Sequence, residues 1–302
     1  MADATITPVS PSTVQLTPRT VSRRWALGDP RPTSQSDRAR MVLDLMDPAV
    51  TDPFVVLAED WFSEVGFDWH PHRGFETVTY VIDGELEHKD STGGHAVLTP
   101  GDVQWTTMGH AVLHAELAYQ KKGVHTLQLW LNSPAALKMI EPGYQNLSAS
   151  TVPTIERDGA RVRVYAGSVQ GVTGPAATIW PATVIDARLS AGGHFTHELP
   201  STFAGLMYVI EGKVRAGSDG TVVATGEAAW FDHIDLREDG RAPSATGIEI
   251  VADEETLLIF YAAAPILEPV VAYGPFVMNT REEIIQTYED YQSGKFPAYP
   301  NW

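Results

Sequence analysis

Residues 76–105 read ETVTYVIDGELEHKDSTGGHAVLTPGDVQW, and this stretch decides the fold class. An apolar run rich in β-branched and aromatic residues ends at Asp83-Gly84. A polar segment, a glycine turn and a second turn follow before Trp105. Short apolar runs between Gly, Pro, Asn and Asp are typical of the strands of a β-sandwich or β-barrel. The stretch therefore predicts an all-β fold.

The same pattern returns in residues 203–230, FAGLMYVIEGKVRAGSDGTVVATGEAAW. An acidic residue and a glycine again end the apolar run, at Glu211-Gly212, and a small-residue turn again precedes a tryptophan, Trp230. We infer an internal repeat of roughly 130 residues. The chain has 302 residues, which suits two tandem β domains of about 130 to 150 residues each.

The predicted domain limits follow from composition. Residues 1–20 are rich in Ser, Thr and Pro, which predicts a flexible arm or an edge strand. A polar Ser/Thr/Pro stretch, NLSASTVPTIERD, marks the boundary between the halves. We therefore expect a first domain at 21–148, a second at 149–272, and a C-terminal helix and tail at 273–302.

The C-terminal helix is predicted for TREEIIQTYEDYQSG, residues 280–294. Thr280 can cap it with Glu283 three residues later, and Gly294 can end it. Its apolar side chains should pack onto a domain, and we expect these to be Ile284, Ile285, Tyr288 and Tyr291.

Composition excludes several classes of function. The formal charge of −17 repels phosphate backbones, so we expect no direct binding to nucleic acid, whereas a protein partner stays possible. The chain contains no cysteine, which removes disulfides, zinc-thiolate sites, iron–sulfur clusters and cysteine nucleophiles. No secretory signal and no apolar run long enough for a membrane helix is visible, so we expect a cytoplasmic protein that does not associate with a membrane.

The chemistry is expected at two short histidine motifs. His70 and His72 stand in Trp-His-Pro-His, and His114 and Glu116 stand in Leu-His-Ala-Glu. Residues two apart in a strand point to the same face, so each pair can converge on one point. A His-x-His pair alone is weak, because a solvated loop histidine is as common. The matching His-x-Glu after a Pro-Gly-Asp turn, in the same repeat, favours a metal site.

Three imidazoles and one carboxylate suit iron, nickel, manganese, cobalt or copper, and zinc less distinctively. Such a site keeps open positions for water, dioxygen or substrate, which is typical of a catalytic or sensing site. We expect one divalent metal ion per chain. The second half cannot copy the site, because Glu198 and Pro200 stand at the positions that match His70 and His72. We expect His194 and His197 to be loop residues.

Five separated motifs resemble the pirin family of the cupin superfamily. They are HPHRGFETVTYV, PGDVQW, VLHAE, LQLWLN with KMIEPGYQ, and GPFVMNTREEIIQTYEDYQSGKF, and they occur in the family's order over nearly the whole chain. The resemblance implies a bicupin, with two tandem cupin domains and a C-terminal helix. It implies one iron, Fe(II), in the N-terminal cupin, with ligands at His70, His72, His114 and Glu116.

The resemblance also implies two rival functions. The first is a quercetin 2,3-dioxygenase activity, which opens a flavonol ring and releases carbon monoxide, with Glu116 as the catalytic base. The substrate would be a small aromatic molecule of the flavonol kind. The second is a non-enzymatic, iron-dependent redox sensor that binds a transcription factor or another protein. A third interpretation is a cupin whose metal is only structural, and it ranks last because the motif halves converge at a barrel interior with room for a ligand.

Three further residues are candidates for the pocket or for contact with the ligands. Glu76 can orient a histidine or Arg73, or it can form a structural salt bridge. His110 stands where the family carries a basic residue, so it can change the electrostatics of the pocket. The lone histidines His88, His95 and His125 lack paired spacing and are expected on the surface or on a strand face.

Overall fold

The computed structural model describes residues 16–44, 48–64, 66–234 and 245–298. The strands before the midpoint are β1 (Thr17–Pro18), β2 (Arg23–Ala26), β3 (Arg38–Leu43), β4 (Phe54–Phe62), β5 (Phe67–His72), β6 (Phe75–Gly84), β7 (Leu86–Asp90), β8 (His95–Leu98), β9 (Val103–Thr107), β10 (Val112–Ala118), β11 (Val124–Asn132) and β12 (Gly143–Leu147). The later strands are β13 (Thr154–Arg157), β14 (Ala160–Ala166), β15 (Ser168–Val169), β16 (Val172–Thr173), β17 (Ala182–Leu189), β18 (His194–Pro200), β19 (Ala204–Glu211), β20 (Lys213–Ala216), β21 (Thr221–Ala224), β22 (Glu227–Phe231), β23 (Ala245–Ala252), β24 (Thr256–Ala263), β25 (Val271–Tyr273) and β26 (Phe276–Met278).

Helices are few among these residues. A single α-helical turn, α1, spans Pro48–Thr51, and α2 spans Arg281–Gln292. Two 3₁₀ turns cover Tyr119–Lys121 and Ala135–Leu137. Within the described ranges, no helix is long and apolar enough to cross a membrane. The all-β prediction with one C-terminal helix is confirmed.

Each half builds two sheets. The first half has a six-stranded sheet in the order β12-β9-β6-β11-β4-β3 and a four-stranded sheet in the order β5-β10-β7-β8. The second half has a seven-stranded sheet, β13-β14-β17-β24-β19-β22-β2, and a five-stranded sheet formed by β1, β23, β20, β21 and β18. The repeat predicted from the two glycine-rich stretches is thus two β domains of matching design.

The two larger sheets face each other. Val78 and Tyr80 on β6 share one apolar cluster with Leu206 and Tyr208 on β19. Because side chains alternate along a strand, the residues between them, such as Thr79, point into the first domain instead. The alternation on β6 therefore separates the surface between the domains from the interior of the first one.

The ends of the chain cross over between the halves. Strand β2 pairs with β22 in the sheet of the second half, and β1 pairs in parallel with β23. Buried Arg19 then donates to the carbonyl oxygens of Pro200 and Phe203, at 2.7 and 2.6 Å. Of the predicted arm, residues 1–15 lie outside the described residues, whereas 17–18 form a strand. The predicted limits at 20, 148 and 272 stay a prediction, and they place β2 in the first domain although it completes the second sheet.

The C-terminal segment returns to the first domain. Val277 donates its backbone N–H to the carbonyl of Arg73 at 3.1 Å. Gly74 lies beneath this segment with φ +89°, and a Cβ there would stand 2.1 Å from the carbonyl oxygen of Val277. Only glycine fits that conformation and that approach.

Helix α2 begins with the predicted capping box. Thr280 accepts from the backbone N–H of Glu283, whose carboxylate accepts from the Thr280 N–H at 2.9 Å. Ile284 is buried, as expected. Ile285 is 59% exposed, so the prediction that it packs inward was wrong. Consecutive residues of a helix point about 100° apart, and the buried side of α2 has room for only one of the two.

Candidate metal centre

Two antiparallel strands bring the predicted histidines together. His114 on β10 lies directly opposite His70 on β5, and Val112 lies opposite His72. The ring centroids are 4.3 Å apart for His70 and His114, 4.9 Å for His72 and His114, and 4.7 Å for His70 and His72. One ligand atom of each histidine lies within 4.8 Å of those of the other two. The two-residue spacing and the strand register together produce this cluster.

Backbone carbonyls orient two of these rings. The Nδ1 nitrogen of His70 is 2.7 Å from the carbonyl oxygen of Asp68, and Nδ1 of His72 is 2.9 Å from that of Pro275. A ring whose Nδ1–H donates to a carbonyl keeps its Nε2 lone pair free for a metal ion. Nε2 of His72 and both ring nitrogens of His114 are buried without a hydrogen-bond partner. The cluster therefore offers free imidazole nitrogens.

Burial keeps the cluster uncharged. Burial, and then the neighbouring His70, lowers the pKa of His72 well below 6.5. The pKa of His114 is lowered in the same way by burial and by the other histidines. The pKa of His70 is also lowered, chiefly by burial. Only the neutral ring binds a metal ion, so these histidines need not lose a proton first.

Glu116, the predicted carboxylate ligand, lies two residues after His114 on β10. The register shift between His114 and Glu116 comes from an extra residue in β5, whereas β10 pairs regularly with β7, so Glu116 stays on the same face of β10 as His114. Its Oε1 accepts from the Thr79 hydroxyl at 3.2 Å, and its Oε2 accepts from Nε2 of Gln128 at 2.8 Å. Trp130 Nε1 donates to Gln128 Oε1 at 3.1 Å and so fixes which way that amide faces.

The possible ligands form two overlapping triads. The first is His70, His72 and His114, and the second is His88, His114 and Glu116, each with its ligand atoms within 4.8 Å of one another. Among the described residues, no such group joins Glu116 to His70 and His72. The structure thus brings the three predicted histidines together and places the predicted carboxylate against His114 and His88.

Sequence reasoning missed His88. Of the two predicted positions, the surface and a strand face, it takes the second: its side chain is fully buried on β7, directly opposite Glu116 on β10. The signal that could have found it is its two-residue spacing from Asp90, which puts both side chains on one face of the strand. His95 and His125, by contrast, pair with Glu87 and Glu59.

The three pocket candidates lie elsewhere. Glu76 accepts from Trp105 Nε1 at 2.9 Å and from the Thr107 hydroxyl at 2.7 Å. It faces away from the histidines because the adjacent Phe75 takes the side of β6 that contacts His72. Burial raises the pKa of Glu76 to about 7, against these hydrogen bonds.

Arg73 binds the C-terminal segment, and the His110 ring is partly exposed. Arg73 donates to Asp290 of α2 at 2.9 Å and to the carbonyl oxygen of His110 at 2.5 Å. The His110 ring is 3.4 Å from exposed Glu141. These contacts are with the C-terminal segment and with Glu141, so a place for Arg73 and His110 in the pocket stays a prediction.

A small enclosed cavity touches Glu116. Its volume is about 10 Å³, and its polar lining comes from Asp60, Glu116, Thr126 and Gln128. A cavity of that size holds about one water molecule. Burial raises the pKa of Asp60 to about 6, and the nearby Glu116 charge adds to the effect.

The histidines of the second half lie on a strand. We expected His194 and His197 in a loop, and that was wrong, because both belong to β18. His194 pairs with Glu249 at 2.9 Å, whereas His197 is buried beside Phe260. Burial lowers the pKa of His197 to about 3, so it is neutral.

Comparison with known proteins identifies relatives over most of the chain. The family model Pirin matches residues 23–131, and the Pirin C-terminal cupin domain matches residues 184–297. Pirin-like protein 2 of Arabidopsis thaliana is 38% identical over 250 residues, 81% of this chain and 75% of its own. A pirin-like protein of Caulobacter vibrioides is 37% identical over 88% of this chain and 96% of its own. The crystal structure of a quercetin 2,3-dioxygenase from Acinetobacter baumannii is 30% identical, with a TM-score of 0.80, and covers 93% of this chain and 99% of its own.

Proposed function

The chain belongs to the pirin family of the cupin superfamily, and on that premise we propose that it binds one Fe(II) ion and acts as a quercetin 2,3-dioxygenase-type enzyme. The ligands are His70, His72, His114 and Glu116. The observation that carries the proposal is the cluster of three neutral histidines with free nitrogens beside a buried carboxylate. The likeness to the quercetin 2,3-dioxygenase of A. baumannii supports the substrate class.

The set of ligand atoms fits the metal. Imidazole nitrogen and carboxylate oxygen suit iron and the neighbouring divalent ions, and a chain without cysteine offers no thiolate that would favour zinc or copper(I). Nickel, manganese, cobalt, copper and zinc stay alternatives, because availability decides loading as well as affinity. When bound, the metal ion would polarise a substrate oxygen and hold the substrate near dioxygen.

The chain's own residues would then orient the ligands and move a proton. Hydrogen bonds from Nδ1–H to the carbonyl oxygens of Asp68 and Pro275 would hold the rings of His70 and His72 in the ligating tautomer. Glu116 would accept the proton of the flavonol 3-hydroxyl on a carboxylate oxygen. Gln128 and Thr79 keep that carboxylate at the site while it carries or releases the proton.

A second candidate function is a redox sensor that binds another protein. The cavity at Glu116 has a volume of about 10 Å³, which suits a water-sized ligand and not a flavonol. A flavonol would have to approach from the side of half-buried His70. The charge of −17 supports a protein partner over nucleic acid, and the absence of cysteine supports our proposal of a cytoplasmic location.

One experiment separates the two functions. The protein is reconstituted with Fe(II) without oxygen, and quercetin consumption and carbon monoxide release are then followed in air. The enzyme predicts sustained turnover that His114→Ala and Glu116→Ala abolish while circular dichroism stays unchanged, with His95→Ala as the matched control. The sensor predicts bound iron without turnover, and hydrogen exchange that differs between ferrous and ferric protein.

A further inference from the structure

We propose that His88 is a fifth protein ligand of the metal centre, binding through its Nδ1 nitrogen. The inference rests on the proposed metal site and deepens it. It adds a histidine to the three histidines and one carboxylate that the paired motifs predict. The argument depends on where His88 lies, on how its ring is held, and on the position of Glu116.

The position of His88 is set by strand register. His88 on β7 lies opposite Glu116 on β10, and the next pair along the same face joins Asp90 and His114. One ligand atom of His88 lies within 4.8 Å of ligand atoms of both His114 and Glu116. The ring centroids of His88 and His114 are 5.4 Å apart. His88 is therefore close enough to His114 and Glu116 for all three to bind one ion.

The His88 ring is oriented in a way that is typical of metal-binding histidines. Nε2 of His88 is 3.0 Å from Oδ2 of Asp90, and both side chains are fully buried. Metal-binding histidines commonly donate their second ring N–H to a carboxylate or a carbonyl. Asp90 itself is fixed by the backbone N–H groups of Thr92 and Gly94, at 2.7 and 3.0 Å. An Nε2–H that donates to Asp90 leaves the Nδ1 lone pair free.

That free nitrogen is otherwise unexplained. Nδ1 of His88 is buried and has no hydrogen-bond partner. A buried polar atom without a partner lowers stability, and a ring that only packed against its stacked neighbour Tyr144 would not need a nitrogen there. A metal ion would satisfy the lone pair.

The position of Glu116 also supports His88 as a ligand. The carboxylate belongs to the triad of His88 and His114, and no triad joins it to His70 and His72 among the described residues. An ion held by the first triad that also reaches Glu116 must lie toward the second triad. His88 offers its Nδ1 nitrogen on that side. An ion that lies close enough to bind Glu116 is therefore also close enough to bind His88.

Nitrogen NMR of the cadmium-loaded protein tests the proposal directly. Cadmium-113 is bound to protein whose histidines carry nitrogen-15, and couplings between the two nuclei identify each metal-bound ring nitrogen. We expect four coupled imidazoles, and the Nδ1 resonance assigned to His88 is one of them. Three coupled imidazoles without His88 would overturn the inference and leave the metal centre standing. A protein that binds neither cadmium nor iron would overturn both.

A matched pair of variants gives an independent readout. His88→Phe keeps an aromatic ring for the stack on Tyr144 and removes the nitrogen. We expect it to bind cadmium about 10- to 100-fold more weakly, while His95→Phe on the neighbouring strand binds as the wild type does. Equal affinity in His88→Phe would contradict the proposal. If that variant does not fold, the count of coupled imidazoles in the wild type decides alone.

Discussion

Tyr80 and Tyr208 occupy equivalent positions in the two domains, and each donates a hydrogen bond to a carboxylate of the other domain. Tyr80 of the first domain donates to Asp186 of the second at 2.8 Å, and Tyr208 of the second donates to Glu59 of the first at 2.6 Å. Both tyrosines precede the Val-Ile-acidic-Gly segment of their repeat. The internal repeat thus produces two equivalent hydrogen bonds between the domains.

Each of these contacts is completed by an arginine. Arg163 forms an ion pair with Asp186, and Arg40 forms one with Glu59 at 2.5 Å. We expect Tyr80→Phe and Tyr208→Phe each to lower the free energy of unfolding by about 1–3 kcal/mol, because each leaves a buried carboxylate with one partner fewer.

The two losses should add, because the networks share no residue. Urea unfolding of the single and double variants measures this, with Tyr273→Phe, whose side chain is exposed, as the control. A double variant no less stable than either single one would contradict the picture of two separate contacts.

Gln128 should control how the carboxylate of the metal centre is placed. In Gln128→Leu the Glu116 Oε2 loses its donor at 2.8 Å, and Trp130 loses its acceptor. We expect iron to bind about 10- to 100-fold more weakly, as when other groups that orient a metal ligand are removed. Competition with a chelator measures the affinity.

The control is Gln292→Leu at the exposed end of α2, which should bind iron as the wild type does. If Gln128→Leu also keeps the wild-type affinity, Gln128 does not position Glu116.

Glu76 should make stability depend on pH. Burial raises its pKa from 4.5 to about 7 in the folded protein, so the folded state favours the protonated acid. This contribution is complete below 4.5 and is lost as the pH rises through about 7. Relative to Glu76→Gln, the wild type should therefore lose up to about 3 kcal/mol across that window.

Chemical denaturation of the metal-free proteins at several pH values measures the difference. Parallel curves for wild type and Glu76→Gln would show that Glu76 titrates alike in the folded and unfolded states.

Arg73 should couple the C-terminal helix to the metal centre. Its bonds to Asp290 and to the His110 carbonyl hold α2 and the adjoining segment, and Pro275 of that segment accepts from His72. Arg73→Ala should destabilise the protein by about 1–3 kcal/mol, because the His110 carbonyl and Asp290 each lose a donor while Asp290 keeps its ion pair with Lys295. It should also weaken iron binding, because His72 loses a fixed partner.

Thermal unfolding and chelator competition on one preparation measure both effects. Arg281→Ala at the exposed start of α2 is the control. A fall in stability with unchanged affinity would show that the orientation of His72 does not depend on this segment.

Local spacing explains what the sequence could predict. Two-residue spacing on strands places His70 with His72, and the shared glycine-rich pattern predicts two domains of one design. The capping box at Thr280 is likewise a local signal, and it was confirmed.

The rest depends on contacts between residues far apart in the chain. Glu76 and Phe75 are neighbours, and only the packing of Phe75 against His72 decides which of them faces the site. His88 meets Glu116 through the pairing of β7 with β10, which a lone histidine does not reveal. Strand β2 completes the sheet of the other half, and no local pattern encodes that choice of partner.

The most direct test of the central claim is the metal content of the reconstituted protein. The chain is stripped with a chelator, loaded with Fe(II) under anaerobic conditions, freed of loose metal and analysed by mass spectrometry, beside His114→Ala. Because His114 belongs to both triads, we predict one iron per chain in the wild type and none in the variant. A wild-type protein that retains no iron, or a His114→Ala variant that retains as much, would contradict the proposed metal centre.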